Sequence, residues 1–122
     1  MSNVITRCNR TQFKDLLENN PGVIIVKFTA TWCRPCQECK EQVYSFFSRA
    51  PKNVVCFDLD VDQNADIYSY FKRMKQVNGI PAFLGFFQGN LSYAANVSVS
   101  GSHPDPIGRF FQICYQTASR FN

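Results

Sequence analysis

The protein has 122 residues, of which 45% are hydrophobic and 18% charged, with a formal net charge of +4. This length suits a single domain covering residues 1–122, and the composition excludes an intrinsically disordered chain. No apolar run approaches the roughly 18–20 residues that cross a bilayer, so we expect no membrane partner. The basic residues are spread out and form no run of five, which argues against a nucleic-acid partner.

The first half of the chain alternates between strand and helix patterns. A short edge strand is expected over 4–6. A helix should begin after Asn9, whose side chain can form a capping box with Gln12, and end at 19–22. Val23–Thr29 is a nearly continuous run of β-forming residues, which is typical of a central strand covered on both faces. A helix over 33–48 and a second buried strand over 54–61 follow.

The second half continues the alternation and ends with a hairpin. Asn64 is expected to cap a helix whose apolar face carries Ile67, Tyr70, Phe71 and Met74. A third central strand over 82–88 leads through a turn at Gly89 into a strand over 91–99. The last helix should begin at an Asp105 cap. Strands separated by helices favour parallel pairing by right-handed crossovers, so we predict an α/β fold with a mixed central sheet and helices on both faces.

The clearest functional signal is the segment Trp32-Cys33-Arg34-Pro35-Cys36, which follows the first central strand directly and opens a helix. The unpaired N–H groups and the dipole of a helix N-terminus favour an anion, so Cys33 is expected to ionise more readily than an ordinary thiol. Cys36 follows one turn later, where the two sulfurs can meet at disulfide distance. This placement predicts a redox-active cysteine pair.

The chain resembles the thioredoxin family over about residues 4–118. The matching segments are Val26 to Cys36, Asp60 to Asn64, Gly79-Ile80-Pro81 and Gly89. The resemblance implies a thioredoxin fold with a cis Ile80–Pro81 bond opposite the cysteine pair. It also implies disulfide exchange, in which Cys33 attacks a partner disulfide and Cys36 resolves the mixed disulfide. Trp32, Pro35, Gly79, Ile80 and Pro81 would then form the substrate-binding surface.

Four residues near this site depart from the usual family pattern. Arg34 stands where most thioredoxins have Gly, and a cation beside Cys33 would stabilise the thiolate and make the couple more oxidising, unless Arg34 points into water. Lys27 stands where a buried Asp is usual, and Asp58 where many relatives have Lys. We predict a Lys27–Asp58 pair that tunes the site or relays a proton to Cys36; alternatively Lys27 extends to the rim without a role. Ala82 replaces the usual Thr, which should leave the loop intact.

The remaining cysteines are interpreted as structural. Cys39 creates a C-x2-C-x2-C run, but the bacterial iron–sulfur pattern needs a fourth cysteine where this chain has Val43. Cys39 is therefore read as an ordinary thiol, with a third redox position as the alternative. Cys8, Cys56 and Cys114 are expected to be buried and inert. We expect no metal and no bound cofactor, because the two sulfurs carry the chemistry.

These observations favour a thiol–disulfide oxidoreductase that reduces protein disulfides. We expect a monomer that receives electrons from a thioredoxin-reductase-like donor. The N-terminus has no export signal, so a reducing cytoplasmic location is expected. Two alternatives stay open: a non-catalytic thioredoxin-fold interaction module, and a more oxidising disulfide oxidase or isomerase.

Overall fold

The computed structural model of the protein describes residues 4–121. Within this range the helices are α1 (Arg10–Glu18), α2 (Arg34–Glu38), α3 (Lys40–Ser48), α4 (Ala65–Arg73) and α5 (Pro104–Ala118), and a 3-10 turn covers Ser119–Phe121. The strands are β1 (Val23–Thr29), β2 (Val54–Asp60), β3 (Ala82–Phe87) and β4 (Val97–Ser100). None of the described helices is long and apolar enough to cross a membrane.

The four strands form one mixed sheet in the order β2-β1-β3-β4, which confirms the predicted fold class. β1 and β2 are parallel, with Lys27 directly opposite Asp58. The prediction that β3 also runs parallel to them is wrong, because β3 is antiparallel to β1 and its Ala82 lies opposite Phe28. The segment that contains α4 therefore returns the chain to the edge where β1 and β2 end, instead of carrying it back to where they begin.

The predicted outer strands are shorter than expected. Residues 4–6 contribute only an isolated bridge between Ile5 and Phe57, at the outer edge of β2. β3 and β4 do form the predicted antiparallel pair, but β4 starts at Val97 instead of residue 91. The intervening loop is stabilised by Asn90, whose side-chain amide donates to Ala94 O at 2.9 Å. This local hydrogen bonding competes with strand pairing, which explains the late start of β4.

The helix predicted over 33–48 is divided at Cys39, which ends α2 and precedes α3. The predicted capping box of Asn9 and Gln12 is present at α1. Asn64 precedes α4 but makes no cap hydrogen bond, because its side chain binds three backbone groups, of Cys8, Thr6 and Asp60. The last helix begins at Pro104, two residues earlier than an Asp105 cap requires, and His103 takes the N-cap position.

Two hydrophobic cores lie on opposite faces of the sheet. Alternate β1 residues supply both: Ile24, Val26 and Phe28 pack toward α1 and α4, and Val23 and Ile25 toward α3 and α5. Phe71 is fully buried on the predicted face of α4, whereas Met74 falls just beyond the helix and is 49% exposed. By the same alternation Lys27 shares the face of Val23 and Ile25, so its charge needs a partner there.

Candidate active site

The cysteine pair lies at the end of the sheet where β1 stops and α2 begins. Cys33 is the N-cap residue of α2, and the backbone N–H of Cys36 donates to Cys33 Sγ at 3.2 Å. The two sulfurs form a disulfide, with the Cα atoms 5.3 Å apart. Pro35 occupies the first turn of the helix, where its missing N–H costs no hydrogen bond. The short connection from strand to helix therefore brings the two sulfurs together, as the sequence predicts.

A second loop faces the disulfide from the start of β3. The Ile80–Pro81 peptide bond is cis, as the family resemblance implies. Cys33 Sγ lies 3.8 Å from the carbonyl oxygen of Ile80. Pro81 is buried, whereas Gly79 is exposed and Ile80 half-buried. The backbone N–H of Ile80 makes no hydrogen bond to any residue between 4 and 121, so it is free to pair with another chain.

The outer rim of the site is formed by the exposed side chains of Trp32, Arg34 and Pro35. Trp32 is 67% exposed, and its indole N–H donates to Asp62 Oδ2 at 2.8 Å. This hydrogen bond orients the ring beside Cys33. Arg34 is 90% exposed at its side chain and pairs with Glu38 at 3.7 Å, one helical turn away. Its charge is therefore largely compensated and hydrated, so it acts only weakly on the sulfurs.

The charged pair predicted below the cysteines is present. Lys27 Nζ lies 3.4 Å from Asp58 Oδ1, and the side chains are 2% and 10% exposed. Both residues line a pocket of about 190 Å³ that also reaches Cys36. The alternative that Lys27 extends to the rim is wrong, because its ammonium stays on the buried face of β1 and meets the carboxylate on the adjacent strand.

Sequence reasoning overlooked Tyr44, which contacts this pair. Its hydroxyl donates to Asp58 Oδ2 at 3.1 Å, and the centre of its ring lies 5.7 Å from Lys27 Nζ. Burial, and then the charge and hydrogen bond of Asp58, raise the pKa of Tyr44, so the phenol stays protonated and continues to donate. Tyr44 lies outside the apolar pattern of α3, so the sequence carries no signal that would have singled it out.

The other four cysteines are free and buried, consistent with their interpretation as structural thiols. Burial raises the pKa of Cys8 to about 11 and that of Cys56 to about 12, and it also raises the pKa of Cys114. Burial likewise raises the pKa of Cys39, although Lys27 opposes the shift. These thiols stay protonated at neutral pH and are poor nucleophiles. No cluster of three metal-ligating side chains occurs among residues 4–121.

Comparison with known proteins agrees with the geometry. The family model described as Thioredoxin matches residues 4–109. The chain is 38% identical over 61 residues to the thioredoxin of Ophiophagus hannah, covering 49% of this chain and 57% of that protein. It is 29% identical over 99 residues to monothiol glutaredoxin-4 of Schizosaccharomyces pombe, covering 79% of this chain but 36% of that protein. The chain thus spans just over half of the length of the first relative and about a third of the length of the second.

The fold is also found among solved structures. The thioredoxin of Malassezia sympodialis superposes with a TM-score of 0.70 at 22% identity, covering 97% of this chain and 96% of that one. At this identity the likeness establishes the fold alone. The residues matched by the family model include β1 and α2, which position the cysteine pair, and the Ile80–Pro81 loop opposite it. The site therefore lies inside the matched region.

Proposed function

This chain belongs to the thioredoxin family, and we propose that it is a thiol–disulfide oxidoreductase that reduces protein disulfides, with Cys33 as the attacking and Cys36 as the resolving thiol. The observation that carries the proposal is the bonded Cys33–Cys36 pair at the start of α2, facing the Ile80–Pro81 loop. No bound cofactor is needed, because two cysteines hold and transfer both electrons.

The reaction proceeds through two exchange steps. The Cys33 thiolate attacks one sulfur of a substrate disulfide, forms a mixed disulfide and releases the other substrate sulfur as a thiolate. Cys36 then loses its proton and attacks Cys33 Sγ. This forms the Cys33–Cys36 bond and releases the second substrate sulfur, so that two electrons have passed to the substrate. The backbone N–H of Cys36, 3.2 Å from Cys33 Sγ, stabilises negative charge on that sulfur.

We assign substrate binding to the surface around the two loops. The free N–H of Ile80 can donate to an extended substrate segment, in the manner of β-strand addition. Gly79 has open space where a side chain would start, so substrate can approach the loop closely. Trp32 and Pro35 supply apolar contact area on the other side of Cys33. A protein segment, being extended and carrying many amides, suits this surface better than a small disulfide.

The electron donor is proposed to be a thioredoxin-reductase-like protein or a small thiol, acting on the oxidised pair from the same exposed face. The four free buried thiols support a reducing compartment such as the cytoplasm, where unpaired cysteines persist. Action as a monomer is part of the same proposal. The Lys27–Asp58 pair is proposed to assist proton movement at Cys36, since all three residues line one pocket.

The test is insulin reduction combined with covalent trapping. Cys33→Ser and Cys36→Ser should both abolish turnover, and only Cys36→Ser should retain substrate covalently at Cys33. Cys39→Ser serves as the matched control, because this third cysteine is equally buried but not part of the pair, and it should keep turnover. Normal turnover by Cys33→Ser would refute the proposal. Partner binding that is identical in all variants, without turnover in wild type, would indicate an interaction module instead.

The substrate-binding surface can be tested separately. Trp32→Ala should raise KM for insulin while leaving reaction with a small aromatic disulfide nearly unchanged. Leu91→Ala is the control, because Leu91 is 65% exposed but lies in the loop beyond the far end of β3. An equal effect of both substitutions on KM would remove Trp32 from the proposed surface.

A further inference from the structure

The pocket that reaches Cys36 contains a carboxylate whose hydrogen-bonding capacity is only partly used. Asp58 Oδ1 is buried and has no hydrogen-bond partner among the described residues, although Lys27 Nζ is 3.4 Å away. That contact is therefore an ion pair without hydrogen-bond geometry. A buried carboxylate oxygen is normally hydrogen-bonded, so Oδ1 keeps unused lone pairs that can accept a proton.

We infer that Tyr44 is a positioning residue for the resolving step, because it holds Asp58 beside the pocket as the acceptor of the Cys36 proton. This inference rests on the proposed function. It assigns distinct roles within the pocket: Asp58 accepts the proton, Lys27 is the counter-ion of the carboxylate, and Tyr44 fixes its orientation.

The geometry around Asp58 supports this division. The Tyr44 hydroxyl donates to Oδ2 at 3.1 Å, which directs the other oxygen toward Lys27. The ring of Tyr44 lies 5.7 Å from the ammonium groups of both Lys27 and Lys40. Each of these cations is attracted to the π-electrons of the ring, which favours its fixed position. Tyr44 is thus bound from three directions, although it is 46% exposed.

The charged and titratable groups around the carboxylate come from every neighbouring element. β1 contributes Lys27, α3 contributes Tyr44 and Lys40, and β2, which carries Asp58 itself, contributes Asp60 at the pocket wall. The junction of α2 and α3 contributes Cys39, whose raised pKa keeps it a neutral thiol. Two cations and one further carboxylate therefore lie around Asp58.

The proposed step conserves atoms and charge. The Cys36 thiol gives its proton to Asp58 through water in the pocket, which has room for several molecules at about 190 Å³. The resulting Cys36 thiolate attacks Cys33 Sγ, the Cys33–Cys36 bond forms, and the bond from Cys33 to the substrate breaks. The substrate sulfur leaves as a thiolate and takes a proton from solvent, and Asp58 returns its proton through the open pocket.

The test is single-turnover reduction of a disulfide peptide by the full-length reduced protein. Trp32 is the sole tryptophan and lies next to Cys33, so its fluorescence follows closure of the 33–36 bridge. Acid quenching, alkylation and mass spectrometry measure the mixed disulfide directly. Tyr44→Phe should leave formation of the mixed disulfide unchanged and slow its decay by about fivefold to tenfold, as expected for loss of one hydrogen bond from a partly exposed donor.

Three comparisons distinguish positioning from a merely structural role. Tyr68→Phe is the matched control, because Tyr68 is a half-buried tyrosine on the other face of the sheet, and it should resolve at the wild-type rate. The slowing by Tyr44→Phe should be largest at neutral pH and vanish above about pH 9, where an unassisted thiol ionises. In an Asp58→Asn background, Tyr44→Phe should cause no additional slowing.

The inference is overturned if Tyr44→Phe resolves as fast as wild type, or if its slowing is the same at every pH or persists in the Asp58→Asn background. Thermal unfolding of each variant identifies any loss of fold. A wild-type protein that forms no adduct at Cys33 would overturn the proposed function itself, and this inference with it. Normal adduct formation with normal resolution in Tyr44→Phe overturns only the inference.

Discussion

Replacing Lys27 by Met tests whether the buried ion pair stabilises the fold. Removing one partner of a buried pair leaves an uncompensated charge and typically costs about 3–5 kcal/mol. Asp58 is 10% exposed and would keep the hydrogen bond from Tyr44, so part of its solvation survives. We therefore expect Lys27→Met to lower the free energy of unfolding by about 2–3 kcal/mol, below the full cost of an isolated buried charge.

Replacing Asp58 should lower the free energy of unfolding more than replacing Lys27 does. Asp58→Leu leaves the Lys27 ammonium at 2% exposure, where it has neither water nor a counter-ion. The expected loss is about 3–5 kcal/mol. The double variant Lys27→Met/Asp58→Leu removes both charges, and its stability should return to within about 1 kcal/mol of wild type because apolar replacements of such pairs are often neutral. The order of stabilities is thus wild type and double variant first, then Lys27→Met, then Asp58→Leu.

Urea denaturation of the oxidised proteins, followed by circular dichroism, measures these differences. For a domain of this size, about 2–3 kcal/mol corresponds to a fall in Tm of roughly 8–12 °C. Equal stability of wild type and Lys27→Met would show that the amine is solvated and unpaired in solution. A double variant as unstable as Asp58→Leu would show that loss of packing, and not the unpaired charge, causes the destabilisation.

Three further predictions concern the rim, the core and the buried thiols. Arg34→Gly should lower the reduction potential of the cysteine pair by only about 10 mV, because an exposed, paired cation contributes at most a few tenths of a kcal/mol. A shift above about 30 mV in a potentiometric titration would contradict this expectation. Gly85→Ala should destabilise the protein by about 1–3 kcal/mol in urea denaturation, since its Cβ would lie 2.9 Å from Cys114 Sγ, whereas Gly108→Ala in α5 should stabilise it by about 0.5–1 kcal/mol. Burial raises the pKa of Cys56 to about 12, so the folded form retains a proton that the unfolded form releases above about pH 9. Between pH 9 and pH 12 this thiol should therefore lower the free energy of unfolding by about 1.4 kcal/mol per pH unit. Urea denaturation across this pH range should show a shallower decline for Cys56→Ala than for wild type.

The cysteine pair could be predicted from the sequence because its geometry is local. Pro35 and the end of β1 fix the start of α2, so the placement of Cys33 and Cys36 needs only the order of a strand, a turn and a helix. The contact between Cys33 and Ile80 joins residues 47 positions apart, and it was expected only through the family resemblance. Local pattern and resemblance thus contributed different parts of the same site.

The direction of β3 and the division at Cys39 could not be predicted in the same way. A strand that follows a helix can run parallel or antiparallel to the first central strand. The antiparallel direction of β3 is seen only from its pairing with β1, which places Ala82 opposite Phe28. Asn64 illustrates the same limit: its sequence context suits a helix cap, but its amide binds the backbone of the N-terminal segment and of residue 60. For the strand and for Asn64 a decisive partner is distant in the sequence, so propensity alone has no information on it.

The surroundings of the Lys27–Asp58 pair show why Tyr44 could not be identified from the sequence. A lysine inside an apolar strand signals that a counter-charge must exist, and the family resemblance indicates Asp58 on the neighbouring strand, which the register then places directly opposite. That reasoning accounts for one oxygen of Asp58 but not for the other, which needs a donor from outside the sheet. Because α3 crosses this end of the sheet, Tyr44 is the residue that supplies the donor, and it does so from a helix position whose side chain is otherwise exposed. A buried charge and the family resemblance thus predict the first partner, whereas the second partner depends on how the helix packs.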